Sequence, residues 1–406
     1  MTMDRGTAAP ARILVVGASA SGLTTVEALR RKGYTGKIQV LGDEPHAPYD
    51  RPPLSKQVLS GAWEPERTAL RAPGVLADLD AEFLLGDEAV ALDARARTVQ
   101  TASGRELSAD AIVIATGARA RALPGQEGLR GVHVLRGLDD ALALKRELLP
   151  GARLVVVGEG VLGSEIAATA RALGLVVTLT GPLAAPMALQ VGPMVSGLLA
   201  ELHIERGVRL RLGAGVAALT RRGGRVTGVE LTTGVHLPAD VVVVAVGAAP
   251  ATGWLADSGL ALENGVVCDS RCRAAEGVFA VGDVARFHHE GLGRAVRLEN
   301  RTNATEQAVA VAGAILGEDR PYAPVPYFWT DQFDARLQLH GVVTAAPGAA
   351  ETVEVVEGDV ASRRFVARYT SDGVVTGVLG WNMPKQTRAR RQEVVAAQAA
   401  LVVPAR

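Results

Sequence analysis

Two stretches of the chain repeat one pattern of apolar and polar positions. "ARILVVGASASGLTTVEALRRKGYTGKIQVLGDE" begins at Ala11, and "ARLVVVGEGVLGSEIAATARALGLVVTLTGP" begins at Ala152. Each opens with an unbroken apolar run, the mark of a strand buried on both faces. A glycine-rich turn follows, then a helical segment and a second apolar strand. Strand, helix and parallel strand make half of a doubly wound sheet, so the pattern predicts an α/β chain with two such sheets. Two further apolar runs, "AIVIATGA" from Ala111 and "DVVVVAVGAAP" from Asp240, each end in a glycine turn. They mark where the chain leaves the first sheet and returns to it. The first domain is therefore expected to be discontinuous, residues 1–120 and 244–325, with residues 121–243 inserted as a second domain. After Pro326, alternation in "TVEVVEG" and "RRFVARYTSDGVVTGVLGW" predicts a β-rich C-terminal α+β domain, 326–406, closed by a helix from about Lys385.

Composition narrows the classes. At 406 residues the chain is long enough for two or three domains of about 150 residues. Acidic and basic residues balance at 43 each, so no global field draws it to nucleic acid or an anionic membrane. The N-terminus "MTMDRGTAAPAR" lacks the apolar core of a secretory signal, and two cysteines cannot make a disulfide framework. A cytoplasmic protein is expected. The uncharged run between Arg171 and Glu201 is long enough to raise a transmembrane helix. Pro182, Pro186 and Pro193 break it, and Val176 to Thr180 reads as a strand, which argues against a span. The histidines show no paired metal-ligand spacing beyond His288 and His289, so no metal site is expected.

The glycine turns carry the chemistry. In "GASASG", Gly17 and Gly22 hold the outer positions of a dinucleotide fingerprint, and Ser19 stands where the middle glycine usually sits. The first glycine permits the tight turn, the last lets helix pack on strand, and the helix N–H groups face a pyrophosphate. Asp43 or Glu44 ends the next strand as the ribose acceptor. In "GVFAVGDVARF", Asp283 offers a carboxylate at the mouth of the same sheet, suited to the hydroxyls of a flavin nucleotide. Two dinucleotide sites in one chain point to electron transfer between two cofactors. Cys268 and Cys272 follow "ENGVV" late in the chain, away from the first helix, and read as structural thiols.

Together, "GASASG", "YDRPPLSK", "ATG", "GEGVLGSE", "GDVA", "NATEQA" and "YFWTDQ" make a chain that resembles the putidaredoxin reductase-like family of FAD-dependent ferredoxin reductases. That family serves bacterial haem monooxygenases and ring-hydroxylating dioxygenases. The resemblance covers nearly the whole chain. It implies two nested Rossmann-like domains in the glutathione reductase manner, one for FAD and one for NAD(P)H, with the C-terminal domain beside the flavin. It places Ser21, Asp43, Arg51, Lys56, Val90, Arg136, Asp283 and Arg301 at the flavin. It also implies that Lys56 lies near flavin N5 and pairs with Glu165, keeping an ammonium beside the ring. Trp329 would shield the isoalloxazine, and the "NATEQA" helix would aim its N-terminus at the flavin O2 side.

The second turn departs from pattern. Gly158, Gly160 and Gly163 are all present, but the next strand ends on Thr180, Gly181 and Pro182, without the acid that holds an adenosine ribose or an arginine for a 2′-phosphate. Only the Thr180 hydroxyl remains nearby. Glu159, between the first two glycines, falls close to the phosphates unless it points to solvent, at a cost on the order of 1 kcal/mol. Loss of one charge-assisted ribose bond weakens a site by about one to two decades without abolishing it. Retention of Glu165 and of Gly247 in the "VGAAP" turn argues that the site still works. The expected activity is hydride transfer from NAD(P)H to FAD and single-electron delivery to an acidic iron–sulfur ferredoxin, docking near Lys385, Arg388, Arg390 and Arg391. The alternatives are a flavin oxidase or tailoring enzyme acting directly on a small molecule, with the nicotinamide site weakened or lost, and a redox-sensing or partner-binding flavoprotein.

Overall fold

In a computed structural model, which describes residues 9–343 and 351–402, the two apolar repeats seed two parallel sheets. The N-terminal segment read for a leader begins outside the described residues. The first sheet has six strands in the order Arg273–Ala275, Val278–Ala280, Ala111–Ile114, Arg12–Val16, Lys37–Gly42 and Ala81–Leu85. All pairs are parallel except the edge strand Arg273–Ala275. The second has five parallel strands: Arg209–Leu212, Val176–Gly181, Arg153–Val157, Val241–Val244 and Val132–His133. The chain crosses between the sheets twice, and the two crossings, Ala118–Ala120 and Ala248–Pro250, pair with each other.

Burial follows the pattern that predicted the strands. Ile13 to Val16 and Ile112 to Ile114 are buried under the helices Ala20–Arg31 and Arg301–Ile315, which supply Val26, Leu29, Val311 and Ala312. In the second sheet, alternate residues face opposite ways, as a period of two requires. Leu154, Val156, Val177 and Leu179 pack on Ile166 and Ala170, whereas Val155, Val157, Val242 and Val244 pack on a small antiparallel sheet through Val229 and Leu231. Leu54, Val58 and Leu59, which flank Lys56, join the first of those clusters. That anchors the "PPLSK" segment against the second sheet's helix.

Beyond Pro326 lies a five-stranded antiparallel sheet, in the order Tyr327–Gln332, Ala335–Gly341, Val374–Trp381, Arg364–Ser371 and Glu351–Asp359. One face, with Leu337, Leu339, Phe365 and Trp381, covers the helix Ala188–Glu205 through Val191, Val195 and Leu199. The other, with Val366 and Val378, meets Val394 of the helix Pro384–Val402. The uncharged run therefore supplies the strand Val176–Gly181 and much of this helix, whose inner face packs on the C-terminal sheet while Leu189 stays exposed. That helix breaks its regular path at Gly192, φ 73°, before Pro193. Among the described residues no helix is long and apolar enough to cross a membrane.

Candidate active site

The two glycine turns superpose in their constraints. Gly17 adopts φ 122° and Gly158 φ 114°, and a Cβ at either would lie 2.2 Å from a carbonyl oxygen, of Ala115 and of Ala245. A Cβ at Gly22 or Gly163 would lie 1.8 Å from the carbonyl of the turn's first glycine. The turn and the helix packing thus demand glycine at all four positions. Ser19 and Gly160 precede the helices as N-caps, and neither helix has a side-chain cap bond. Their first N–H groups remain available to an anion. No atom lies within 4 Å of a Cβ position on Gly160, so the approach is open.

Above the first turn runs a cleft of about 770 Å³. Gly17, Ser19 and Ser21 line its floor, and Asp43, Arg51, Arg136, Asp283 and Arg301 line its length. Asp43 and Glu44 part company here. Glu44 accepts from Arg51 and from the Tyr49 hydroxyl, whereas Asp43 is exposed and in no ion pair among the described residues. Tyr49 also accepts from the Leu138 N–H at 2.9 Å, and burial pushes its phenol well above the usual range, so it stays protonated. Arg51 further donates to the Arg136 carbonyl at 2.7 Å, and the Arg136 guanidinium lies 3.0 Å from the Asp283 carboxylate. Arg301 pairs with Asp50. Asn300 caps the Arg301–Ile315 helix through the Asn303 N–H, and its N-terminus lines the cleft.

At the inner end of the cleft, which Ser55 and Glu165 line, Lys56 meets Glu165 at 2.7 Å from behind the lining, the two side chains only 14% and 7% exposed. Glu165 also accepts from Ser55 Oγ at 2.6 Å and from Thr330 Oγ1 at 2.9 Å. Three segments, "PPLSK", the Val161–Ala172 helix and the Tyr327–Gln332 strand, are thus fastened to one carboxylate. Ser55 and Thr330 were not singled out from sequence, although both lie inside the motifs "PPLSK" and "YFWTDQ".

Several expected positions fall elsewhere. Val90 does not line the cleft: strand alternation turns Ala89 inward and leaves Val90 46% exposed. Trp329 is half-buried and stacks on Tyr327, ring centroids 6.0 Å apart, while its neighbour Thr330 faces Glu165; its side chain does not line the cleft either. Gly247 sits at the crossing between the sheets with φ 90°, its carbonyl accepting from the Arg121 N–H. Of the C-terminal basic cluster, Lys385 and Arg388 are exposed and Arg391 half-buried. Arg390 instead is bonded to Glu357 and Glu393, and so offers little free charge. Cys268 and Cys272 are buried free thiols; burial raises both, Cys272 to about 12, so neither is poised as a thiolate.

The second turn overturns two readings. Thr180 is fully buried and donates to the Arg211 carbonyl at 2.7 Å, so its hydroxyl cannot serve a ribose. Glu159 points neither at the phosphates nor to solvent. It is 4% exposed, folded over Gly181, with Oε1 accepting from the Leu183 N–H at 2.7 Å.

Comparison with known proteins covers the same ground. The family description "pyridine nucleotide-disulphide oxidoreductase" matches residues 11–308, and "reductase C-terminal" matches residues 327–403. Rhodocoxin reductase of Rhodococcus erythropolis is 35% identical over 382 residues, 94% of this chain and 88% of that protein. The ferredoxin reductase component of chlorobenzene dioxygenase from Cupriavidus sp. (strain PS12) is 39% identical over 402 residues, 96% and 93% of the two chains. Among solved structures, the covalent putidaredoxin reductase–putidaredoxin complex superposes with a TM-score of 0.90 at 31% identity, covering 97% of this chain and 96% of that one.

Proposed function

The chain belongs to the pyridine nucleotide-disulphide oxidoreductase family, and on that premise we propose that it is an NAD(P)H-dependent flavoprotein reductase. It delivers electrons singly to a small acidic iron–sulfur ferredoxin that serves an oxygenase. The first cleft fits FAD. Its turn keeps Gly17 and Gly22 where a Cβ would meet backbone, puts the small Ser19 at the middle position, leaves its helix N–H groups uncapped, and is faced by the strand-end acid Asp43, which makes no ion pair among the described residues. When bound, FAD accepts two electrons together and releases them one at a time.

In this assignment Gly17, Ser19, Ser21 and Gly22 cradle the pyrophosphate and Asp43 holds the adenosine ribose. Arg51, Arg136, Asp283 and Arg301 order the remaining polar length of the cofactor. Gly158, Gly160 and Gly163 cradle the nicotinamide dinucleotide, with Gly247 on its approach. Val90 and Trp329 are left out, because neither side chain lines the cleft or, as Lys56 does through Glu165, bonds to a side chain that lines it. Lys56 presents an ammonium at the junction of the two sites. Glu165 pairs with that ammonium and fixes its position, and Ser55 and Thr330 fix Glu165 in turn. This four-residue node is the observation that carries the reading: it ties the flavin segment, the nicotinamide helix and the C-terminal sheet to one point. The buried free thiols suit a reducing compartment, and we place the protein in the cytoplasm.

Anaerobic stopped-flow mixing with NADH and with NADPH tests the proposal. Flavin absorbance is expected to bleach with at least one of them, and the reduced enzyme to reduce a [2Fe–2S] ferredoxin. Bleaching by neither nicotinamide would overturn it.

A further inference from the structure

We propose that Glu159 is the acid that holds the adenosine ribose of the nicotinamide cofactor, and that it selects NADH over NADPH. The inference rests on the function proposed above and names the specificity-determining residue of its second site.

The argument comes from the two halves of the chain. Val16 pairs with Leu41 in one sheet and Val157 with Thr180 in the other, so Gly42 and Gly181 occupy equivalent strand ends. Ala18 and Glu159, each following the first glycine of its turn, occupy equivalent loop positions. In the first half, a Cβ at Gly42 would lie 2.7 Å from Ala18 Cβ, so the loop residue overhangs the strand end. In the second, a Cβ at Gly181 would lie 1.6 Å from Glu159 Oε2. The overhang is the same, but a carboxylate now fills it. The acid that follows Gly42 is Asp43; the residue that follows Gly181 is Pro182. The negative charge has moved from the strand end to the loop residue above it, and Gly181 is glycine because any side chain there would displace that carboxylate.

The carboxylate has capacity for a ligand. Glu159 is 96% buried by its 4% exposure, accepts one hydrogen bond, from Leu183 N–H to Oε1, and makes no ion pair among the described residues. A buried charge without a cation is costly unless donors satisfy it. The hydroxyls of an adenosine ribose are such donors, and a strand-end carboxylate beside a glycine turn is where they arrive. A 2′-phosphate brought to the same place meets like charge in a partly desolvated site. Thr180, the other polar group of this strand end, is already committed to the Arg211 carbonyl.

The test uses the holoenzyme and begins without a variant. Calorimetric titration with NAD⁺ and with NADP⁺, and stopped-flow reduction by NADH and NADPH, are expected to favour the non-phosphorylated cofactor in both. In Glu159→Gln, which keeps the shape and removes the charge, NAD⁺ binding is expected to weaken roughly ten- to hundred-fold, the worth of a charge-assisted hydrogen bond. Discrimination against NADP⁺ should shrink with it. The double variant Glu159→Gly with Pro182→Asp puts the acid at the position that Asp43 holds in the first half and is expected to recover NAD⁺ affinity. Equal use of the two cofactors, or a preference for NADPH, in the unaltered protein would overturn the inference while leaving the reductase assignment standing. So would unchanged NAD⁺ affinity in a Glu159→Gln protein that retains its flavin spectrum. Failure of both cofactors to bleach the flavin would sink the reductase assignment itself.

Discussion

Glu165 shows how much one side chain is asked to hold. Its two oxygens receive an ammonium and two hydroxyls while the side chain is 7% exposed. Removing the cation alone leaves a buried carboxylate with hydroxyl donors only. Lys56→Met is therefore expected to cost about 3 kcal/mol, the low end of the range for a broken buried pair, because Ser55 and Thr330 still donate. Denaturant unfolding of the holoenzyme measures it. Adding Glu165→Gln to Lys56→Met should recover part of that loss, since the uncompensated charge goes with it. A double variant less stable than Lys56→Met would show that packing, and not charge, sets the cost. Lys56 and Glu165 were legible as a pair through their motifs. Their hydroxyl partners were not, because Thr330 stands 165 positions from Glu165 and only the packing of the C-terminal sheet brings it near.

At the scale of elements, the C-terminal helix lies on its sheet and sets the chemistry beneath it. His340, on the strand Ala335–Gly341, stacks on Tyr327 at 4.6 Å. Burial, with Arg391 and Arg388 adding to it, pushes its imidazole down to about 4. The folded value lies below the free value of about 6.5, so on acidification the unfolded chain takes the proton first. Stability from this group is fully present above about pH 6.5 and is lost as pH falls toward 4. Burial lowers His203 and His289 as well, so they add in the same sense. His340→Gln is expected to flatten part of the fall in melting temperature between pH 7 and pH 4.5. An acid profile identical to the parent's would refute the assignment. The sequence alternation predicted this sheet and the helix that closes it. It could not show that the sheet's other face would cover the helix Ala188–Glu205, which carries no charge before Glu201.

Across the whole molecule, net charge is zero, so attraction for an acidic partner must come from a local patch. Lys385, Arg388 and Arg391 supply one on the C-terminal helix, and Arg390 is withdrawn from it by Glu357 and Glu393. Reversing Lys385 and Arg388 to glutamate is expected to slow ferredoxin reduction about tenfold at low salt, with the difference vanishing as salt screens the encounter. Flavin reduction by NADH should be unchanged. Equal ferredoxin rates for parent and variant at low salt would remove this patch as the docking face. Arg390→Glu, by contrast, should lower stability more than it alters the salt dependence.

The sequence alone determined the two parallel sheets, their glycine turns, the alternating C-terminal sheet and the motif-borne residues. These are set by local spacing: apolar runs, helical periodicity and glycines that no other residue can replace. Tertiary structure decided which way side chains turn. It sent Val90 outward, paired off Glu44 and left Asp43 free, buried the Thr180 hydroxyl and neutralised Arg390. Above all it folded Glu159 over Gly181. A glycine at 181 reads in sequence as a missing acid. In space it is the room made for a carboxylate delivered from a loop 22 residues earlier in the chain, because two strand ends and a turn converge at the mouth of a parallel sheet.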